Sequence, residues 1–258
     1  MSVLAKKELG QHWLVDANIV RVAGRLAELG PDDVVLEIGP GLGILTAFLA
    51  DHARFVHTVE LDRSLAPALE ERLGARENVR LVYGDAVTLA LHELEPPPAK
   101  LVANLPYQIA TPLLVESLDG LPTVRRWCVM VQREVADRLF AAPATKPYGS
   151  VSVLVQLTAE QTGFHSVSRS VFRPPPKVDS ALVAFRRTRD WGGEFVRVKA
   201  VVQAAFAHRR KTLANSLALA RVAERENVER ALVRLGHDAG VRAEALAPAE
   251  LERLALAL

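Results

Sequence analysis

The sequence predicts an α/β fold with a small all-helical domain at its C-terminal end. Three observations carry this. Short Val- and Leu-rich runs alternate with helical stretches over the first part of the chain. The first of these runs ends in a cluster of glycines that opens a helix. Beyond a charged segment at Arg186–Glu194 the pattern is helical only.

Taken in order, Val34-Val35-Leu36-Glu37-Ile38 reads as a strand, the glycines at 39, 41 and 43 as a tight turn, and the apolar stretch from Ile44 to Leu49 as a helix. Phe55–Glu60, Val79–Tyr83, Leu101–Ala103 and Trp127–Val131 are further short strands, separated by helical stretches at Leu65–Leu73, Ala110–Leu118 and Glu134–Phe140. Such alternation implies a mostly parallel sheet with helices on both faces. Val151–Leu157 and Val178–Phe185 follow without a clear helix between them and read as a terminal pair of strands. Gly192-Gly193, inside the charged segment, marks the linker, so the expected domains are 1–190 and 191–258. In the second, Gly236 and Gly240 are breakers and Pro248 starts the last helix.

The 258 residues are 50% hydrophobic and 24% charged, which excludes a mainly disordered chain and leaves room for a sizeable core. No apolar run approaches the roughly 20 residues that span a bilayer, and the N-terminus lacks the apolar stretch of a secretory signal. The expected setting is cytoplasmic, with no membrane partner. Cys128 is the sole cysteine, so internal disulfides and multi-cysteine metal sites are excluded. His52, His57, His92, His165 and His237 lack ligand spacing and read as surface or core residues; no metal is expected. The net charge of +2 hides an asymmetry. Residues 1–164 carry 15 Lys and Arg against 20 Asp and Glu, residues 165–258 carry 17 against 10. A basic last third suits a nucleic-acid partner, and equally a solvated basic helix surface.

The glycine turn is spaced Gly39-x-Gly41-x-Gly43, with Ile44 where a dinucleotide fingerprint needs its third glycine. Glycines here allow a ligand close to the backbone across the carboxyl ends of the strands. Glu60 ends the second strand, where it suits a ribose diol. Asp85, in Gly84-Asp85-Ala86, follows the third and suits an adenine amino group. Acids at successive strand ends fit an adenosine without phosphates that carries a cation, a description S-adenosylmethionine meets. Glu37 reads as structural, capping the turn through backbone amides.

Asn104-Leu105-Pro106-Tyr107 follows the fourth strand. An adenine N6 lone pair is delocalised into the ring and is a poor nucleophile. Acceptors such as the Asn104 side-chain oxygen and the main-chain carbonyl of Leu105 or Pro106 favour its pyramidal, attacking form. Proline fixes the turn, and Tyr107 offers a flat face on which an extruded base stacks. A plain turn with a buried tyrosine is the alternative for the tetrapeptide alone.

These motifs resemble those of the ribosomal RNA adenine N6,N6-dimethyltransferases, most nearly the branch acting on small-subunit RNA. Gly10-Gln11-His12-Trp13-Leu14 resembles the family's N-terminal G-Q-N-F-L, and the glycine turn, Glu60, Gly84-Asp85-Ala86 and Asn104–Tyr107 follow in order. Phe172-Arg-Pro-Pro-Pro-Lys177-Val178-Asp179-Ser180 is similar to F-x-P-x-P-K-V-x-S. Ala205–Leu217, with Arg209-Arg210-Lys211, is similar to A-F-x-x-R-R-K-T-L-x-N-S-L. The resemblance implies a Rossmann-like class I S-adenosylmethionine-dependent methyltransferase with a helical RNA-binding domain. Gln11, His12, Leu14, Gly39, Gly41, Glu60, Leu61, Asp85, Ala86 and Asn104 would hold the cofactor, which leaves as S-adenosylhomocysteine. Tyr107 and Phe172 would sandwich the target adenine beside Asn104, Leu105 and Pro106, and Arg209, Arg210 and Lys211 would contact RNA phosphate.

The implied substrate is a pair of adjacent adenines in the 3′-terminal hairpin loop of small-subunit rRNA, met by a monomeric enzyme on an immature subunit. Two residues depart from the family pattern: His12 stands for asparagine and Trp13 for phenylalanine, which points to altered cofactor affinity. Lys6-Lys7 is the basic pair of a short N-terminal arm. The rivals are an Erm-type large-subunit methyltransferase conferring macrolide resistance and a non-catalytic RNA-binding assembly factor. Leucine rather than isoleucine at 105 weighs against the first, and intact Glu60, Asp85, Asn104 and Tyr107 against the second.

Overall fold

A computed structural model describes residues 5, 6 and 9–258, so Lys7 of the basic pair lies outside it. In chain order the elements are β1 (Trp13–Leu14), α1 (Ala17–Leu26), β2 (Val34–Ile38), α2 (Ile44–His52), β3 (Phe55–Glu60), α3 (Ala66–Leu73), β4 (Val79–Tyr83), β5 (Lys100–Asn104), α4 (Ala110–Gly120), β6 (Arg126–Gln132), α5 (Arg133–Leu139), α6 (Ser150–Thr158), β7 (Ala159–Val167), β8 (Phe172–Arg173), β9 (Ser180–Arg187), α7 (Glu194–Ala207), α8 (Leu213–Leu219), α9 (Arg225–Arg234) and α10 (Pro248–Ala257). Among the described residues no helix is long and apolar enough to cross a membrane.

The first compact unit holds residues up to Ala136 and Glu160–Arg187. Its seven-stranded sheet runs β4-β3-β2-β5-β6-β9-β7. The five strands from β4 to β6 pair in parallel and β9 joins β6 antiparallel. The central strands β2 and β6, buried on both faces, read as near-continuous apolar runs, β2 being buried at all five positions and β6 at five of seven. Strand order reverses between β2 and β5, the place where open parallel sheets leave a crevice at their carboxyl ends. One core cluster joins Val35, Val56, Val102, Cys128 and Phe172 to Ile19 and Val20 of α1 and Leu49 of α2. Asp16 starts α1, its Oδ1 accepting from the amides of Asn18 (2.7 Å) and Ile19 (3.2 Å). Burial pushes the Cys128 thiol up to about 12, so it is an inert core residue. His57 is also core, its buried ring donating from Nε2 to the Pro96 carbonyl at 2.8 Å.

The second unit comprises Asp137–Ala159 and Thr188–Leu258 and is helical. It corrects two sequence expectations. Val151–Leu157 is helix α6 rather than a strand: its V-S-V-L-V-Q-L run nearly alternates, as a strand would, and packing against α7 and α10 overrides that local pattern. The unit also claims 137–159 from the expected 1–190 domain, since α6 packs against α7 and α10. Trp191 Nε1 donates to Thr158 Oγ1 at 2.8 Å, and Tyr148 Oη to the Leu246 carbonyl at 2.8 Å. Outside α6, β9 begins two residues later than expected, and β7 and β8 add strands that the pattern does not signal.

Candidate active site

The sheet crevice holds a cavity of about 150 Å³ at the carboxyl ends of β2, β3, β4 and β5. Every sequence-expected cofactor residue lines it: Gln11, His12, Leu14, Gly39, Gly41, Glu60, Leu61, Asp85, Ala86 and Asn104, with Leu105, Pro106 and Tyr107 beside them. Phe172 does not. It is fully buried in the core opposite Leu14 in the β1–β8 pair.

Gly39, Gly41 and Gly43 all have left-handed backbones, with φ of 74°, 56° and 75°. At Gly41 a Cβ would stand 2.9 Å from the Trp13 ring, and at Gly39 3.2 Å from Pro106. The turn is therefore pressed between the N-terminal segment and the 104–107 loop, and only glycine fits. Glu60, 6% exposed, ties it down, accepting from Gly41 N (3.3 Å) and Asp62 N (2.8 Å). Burial raises its carboxyl above the usual range, against the pull of those amides. Each Glu60 oxygen keeps a second lone pair for a ribose diol. Glu37 does not cap the turn as expected: it accepts from Thr58 Oγ1 at 3.4 Å beneath it, and burial pushes its carboxyl up to about 8.

Asp85 spends Oδ1 on the Val87 amide at 2.9 Å, leaving Oδ2 without a partner among the described residues. Asn104 ends β5, and its side-chain amide likewise has no partner among the described residues. The Pro106 carbonyl accepts from Ile109 N at 3.1 Å, which leaves the Leu105 carbonyl as the main-chain acceptor to join Asn104. Tyr107 is pinned by a 2.7 Å hydrogen bond to Ser180 Oγ, and burial raises its phenol. Unclaimed acceptors at Asp85, Asn104 and Leu105 around a glycine floor fit an adenosine cofactor and an amine beside it.

Two contributors escaped the sequence. Asp62 accepts from Lys6 Nζ (2.7 Å) and Gln11 Nε2 (2.9 Å), fastening the N-terminal segment across the site. Burial opposes its ionisation, but hydrogen bonds from Lys6, Ser64 and Gln11 hold its carboxyl well below the usual range. Ser180 is the other. In the helical unit, Arg209 is already engaged, donating to the carbonyls of Lys146 (3.3 Å) and Tyr148 (3.1 Å), while Arg210 and Lys211 are exposed.

A family model described as ribosomal RNA adenine dimethylase matches residues 3–250. The chain belongs to that family. It is an S-adenosylmethionine-dependent rRNA adenine dimethyltransferase with a Rossmann-like fold and a helical C-terminal region. A relative from Rubrobacter xylanophilus, called ribosomal RNA small subunit methyltransferase A, is 48% identical over 249 residues, 96% of this chain and 93% of that protein. One of the same description from Geobacillus kaustophilus is 41% identical, covering 98% and 90%. Among solved structures, a dimethyladenosine transferase from Plasmodium falciparum superposes with a TM-score of 0.79 at 25% identity, covering 94% of this chain and 96% of that one. The 23S rRNA methyltransferase ErmE gives 0.67 at 32%, covering 95% and 99%.

Proposed function

We propose that this enzyme converts two adjacent adenines in the 3′-terminal hairpin loop of small-subunit rRNA to N6,N6-dimethyladenine, acting as a cytoplasmic monomer on an immature subunit. The observation that carries the reading is Asn104-Leu105-Pro106-Tyr107 at the strand-order switch, with free acceptors at Asn104 and Leu105. The small-subunit target is supported by relatives of that description at 41–48% identity, against 32% to the large-subunit ErmE.

Bound S-adenosylmethionine supplies an electrophilic methyl on a sulfonium. Glu60 takes the ribose diol, Asp85 Oδ2 the adenine amino group, and Gln11 and the glycine turn enclose the rest. Tyr107 stacks the flipped base. Asn104 Oδ1 and the Leu105 carbonyl would accept hydrogen bonds from the N6 hydrogens, directing the nitrogen lone pair at the cofactor methyl and stabilising the positive charge that develops on N6, whose surplus proton passes to solvent after each transfer. Catalysis is then positioning and electrostatics, with no covalent enzyme intermediate. In the helical unit, Arg210 and Lys211 contact phosphate, with Arg209 bracing the loop that carries them.

Asn104→Ala tests this assignment. Removing one preorganised group at developing charge costs about 10²–10³ in rate. Methyl incorporation into unmethylated small subunits is expected to fall by that factor, and an unchanged rate would refute the role of Asn104.

A further inference from the structure

Tyr107 lines the cavity, but its hydroxyl ends on a residue that does not. Ser180 Oγ stands 2.7 Å from Tyr107 Oη, and Ser180 is 1% exposed and absent from the cavity wall. Each hydroxyl is the other's hydrogen-bond partner, and neither has a second among the described residues. Burial raises the phenol, so it keeps its proton and works through its ring and this bond, not as a base.

The sheet makes this contact a rigid one. Strands β5, β6 and β9 are successive neighbours. The loop that carries Tyr107 leaves β5 at Asn104 and is tied to β6, where Leu105 N donates to the Met130 carbonyl at 3.1 Å. Ser180 opens β9 opposite Gln132, the last residue of β6. Beside it, the Asp179 carbonyl accepts from Arg133 N and Asp179 Oδ1 from Arg169 N, each at 3.0 Å. The Tyr107 side chain therefore spans the carboxyl end of β6, its backbone held on one side and its hydroxyl on the other. A ring held at both ends does not swing between rotamers.

We propose that Ser180 is a positioning residue for the methyl transfer: its hydroxyl fixes the Tyr107 ring and so presets the face on which the flipped adenine lies beside Asn104. This rests on the reading that the chain methylates a flipped adenine. Flipping forfeits the base's stacking and pairing, so only a fraction of the bound RNA holds the adenine in place. A ring already set loses no rotamer freedom when the base arrives, which raises that fraction. Binding of the subunit itself is dominated by phosphate contacts, not by this one base. Loss of the Ser180 hydroxyl therefore falls on kcat and leaves KM for the subunit and cofactor affinity in place.

Ser180→Ala and Tyr107→Phe remove the same hydrogen bond from its two ends, and both keep the ring. Each variant and the double variant are assayed for kcat and KM on unmethylated small subunits and for S-adenosylmethionine affinity by calorimetry, with thermal unfolding to confirm that they fold.

A neutral hydrogen bond corresponds to about 2- to 12-fold. Ser180→Ala is expected to lower kcat by that factor while KM and cofactor affinity stay within about twofold. Tyr107→Phe is expected to match it, and the double variant to lose no more than either alone, since the second change removes a bond already broken. The proposal is overturned if Ser180→Ala keeps its full kcat, if the two losses multiply in the double variant, or if cofactor affinity falls in parallel with kcat. Should Ser180→Ala not fold, Tyr107→Phe decides alone: the same fall in kcat at constant KM supports the proposal, and an unchanged kcat overturns it. Absence of adenine methylation by the unsubstituted enzyme would instead refute the functional reading itself.

Discussion

Glu37 sits at the carboxyl end of β2 under the glycine turn, 1% exposed, with Thr58 Oγ1 at 3.4 Å as a hydrogen-bond partner. Burial raises its carboxyl from an ordinary value near 4.5 to about 8, so the folded protein prefers the protonated acid. Below pH ~4.5 the acid is neutral folded and unfolded, and it contributes no pH-dependent loss. Between about 4.5 and 8 the unfolded chain releases the proton and the folded chain keeps it, so stability falls as pH rises. At 1.36 kcal/mol per unit the loss approaches about 5 kcal/mol by pH 8. Glu37→Gln replaces the acid by a neutral group of the same shape and removes that slope. Urea unfolding of both proteins at pH 5, 6.5 and 8 measures it. The Gln variant is expected to gain on the wild type by about 1.4 kcal/mol per pH unit. A difference between the two that stays flat across that range would show that burial does not hold Glu37 neutral.

Other expected outcomes follow from the same contacts. Asp62→Ala frees Lys6 and Gln11 from the far side of the site and should weaken S-adenosylmethionine binding about 3- to 30-fold, read by calorimetry. Arg187 is 9% exposed and its guanidinium donates to the carbonyls of Val124 (2.8 Å), Leu118 (2.8 Å) and Leu121 (3.1 Å) at the end of α4. Arg187→Met strands all three and should cost about 3 kcal/mol in urea unfolding, at roughly 1 kcal/mol per bond. Replacing Arg210 and Lys211 together by alanine should reduce the slope of log affinity against log salt for RNA by about 1.5 without lowering the melting temperature. Arg209→Ala should lower the melting temperature, because its guanidinium holds the carbonyls of Lys146 and Tyr148.

Much of the catalytic unit is legible in the sequence because its chemistry sits at strand ends, where glycine, acid and amide residues interrupt apolar runs. Gly39, Gly41, Glu60, Asp85 and Asn104 all line one cavity for that reason. Helix α6 is not legible: Ser150–Thr158 reads S-V-S-V-L-V-Q-L-T, a near alternation of polar and apolar residues that imitates a strand. Helix α1 is amphipathic, burying Ile19, Val20, Val22 and Ala23 behind the Asp16 cap, but its ten residues give its period only a short window. Two-residue strands such as β1 and β8 have no pattern of their own, so the burial of Phe172 opposite Leu14 comes only from their pairing. The Lys6–Gln11–Asp62 link joins residues some fifty apart in the chain, and nothing local to any of them announces it.

The central claim is tested most directly by incubating the enzyme with radiolabelled S-adenosylmethionine and unmethylated small ribosomal subunits, then digesting the RNA and separating its nucleosides. Label in N6,N6-dimethyladenosine from the 3′-terminal fragment is the result expected. Absence of label there, with cofactor binding intact and label instead in protein-free large-subunit RNA, would contradict it.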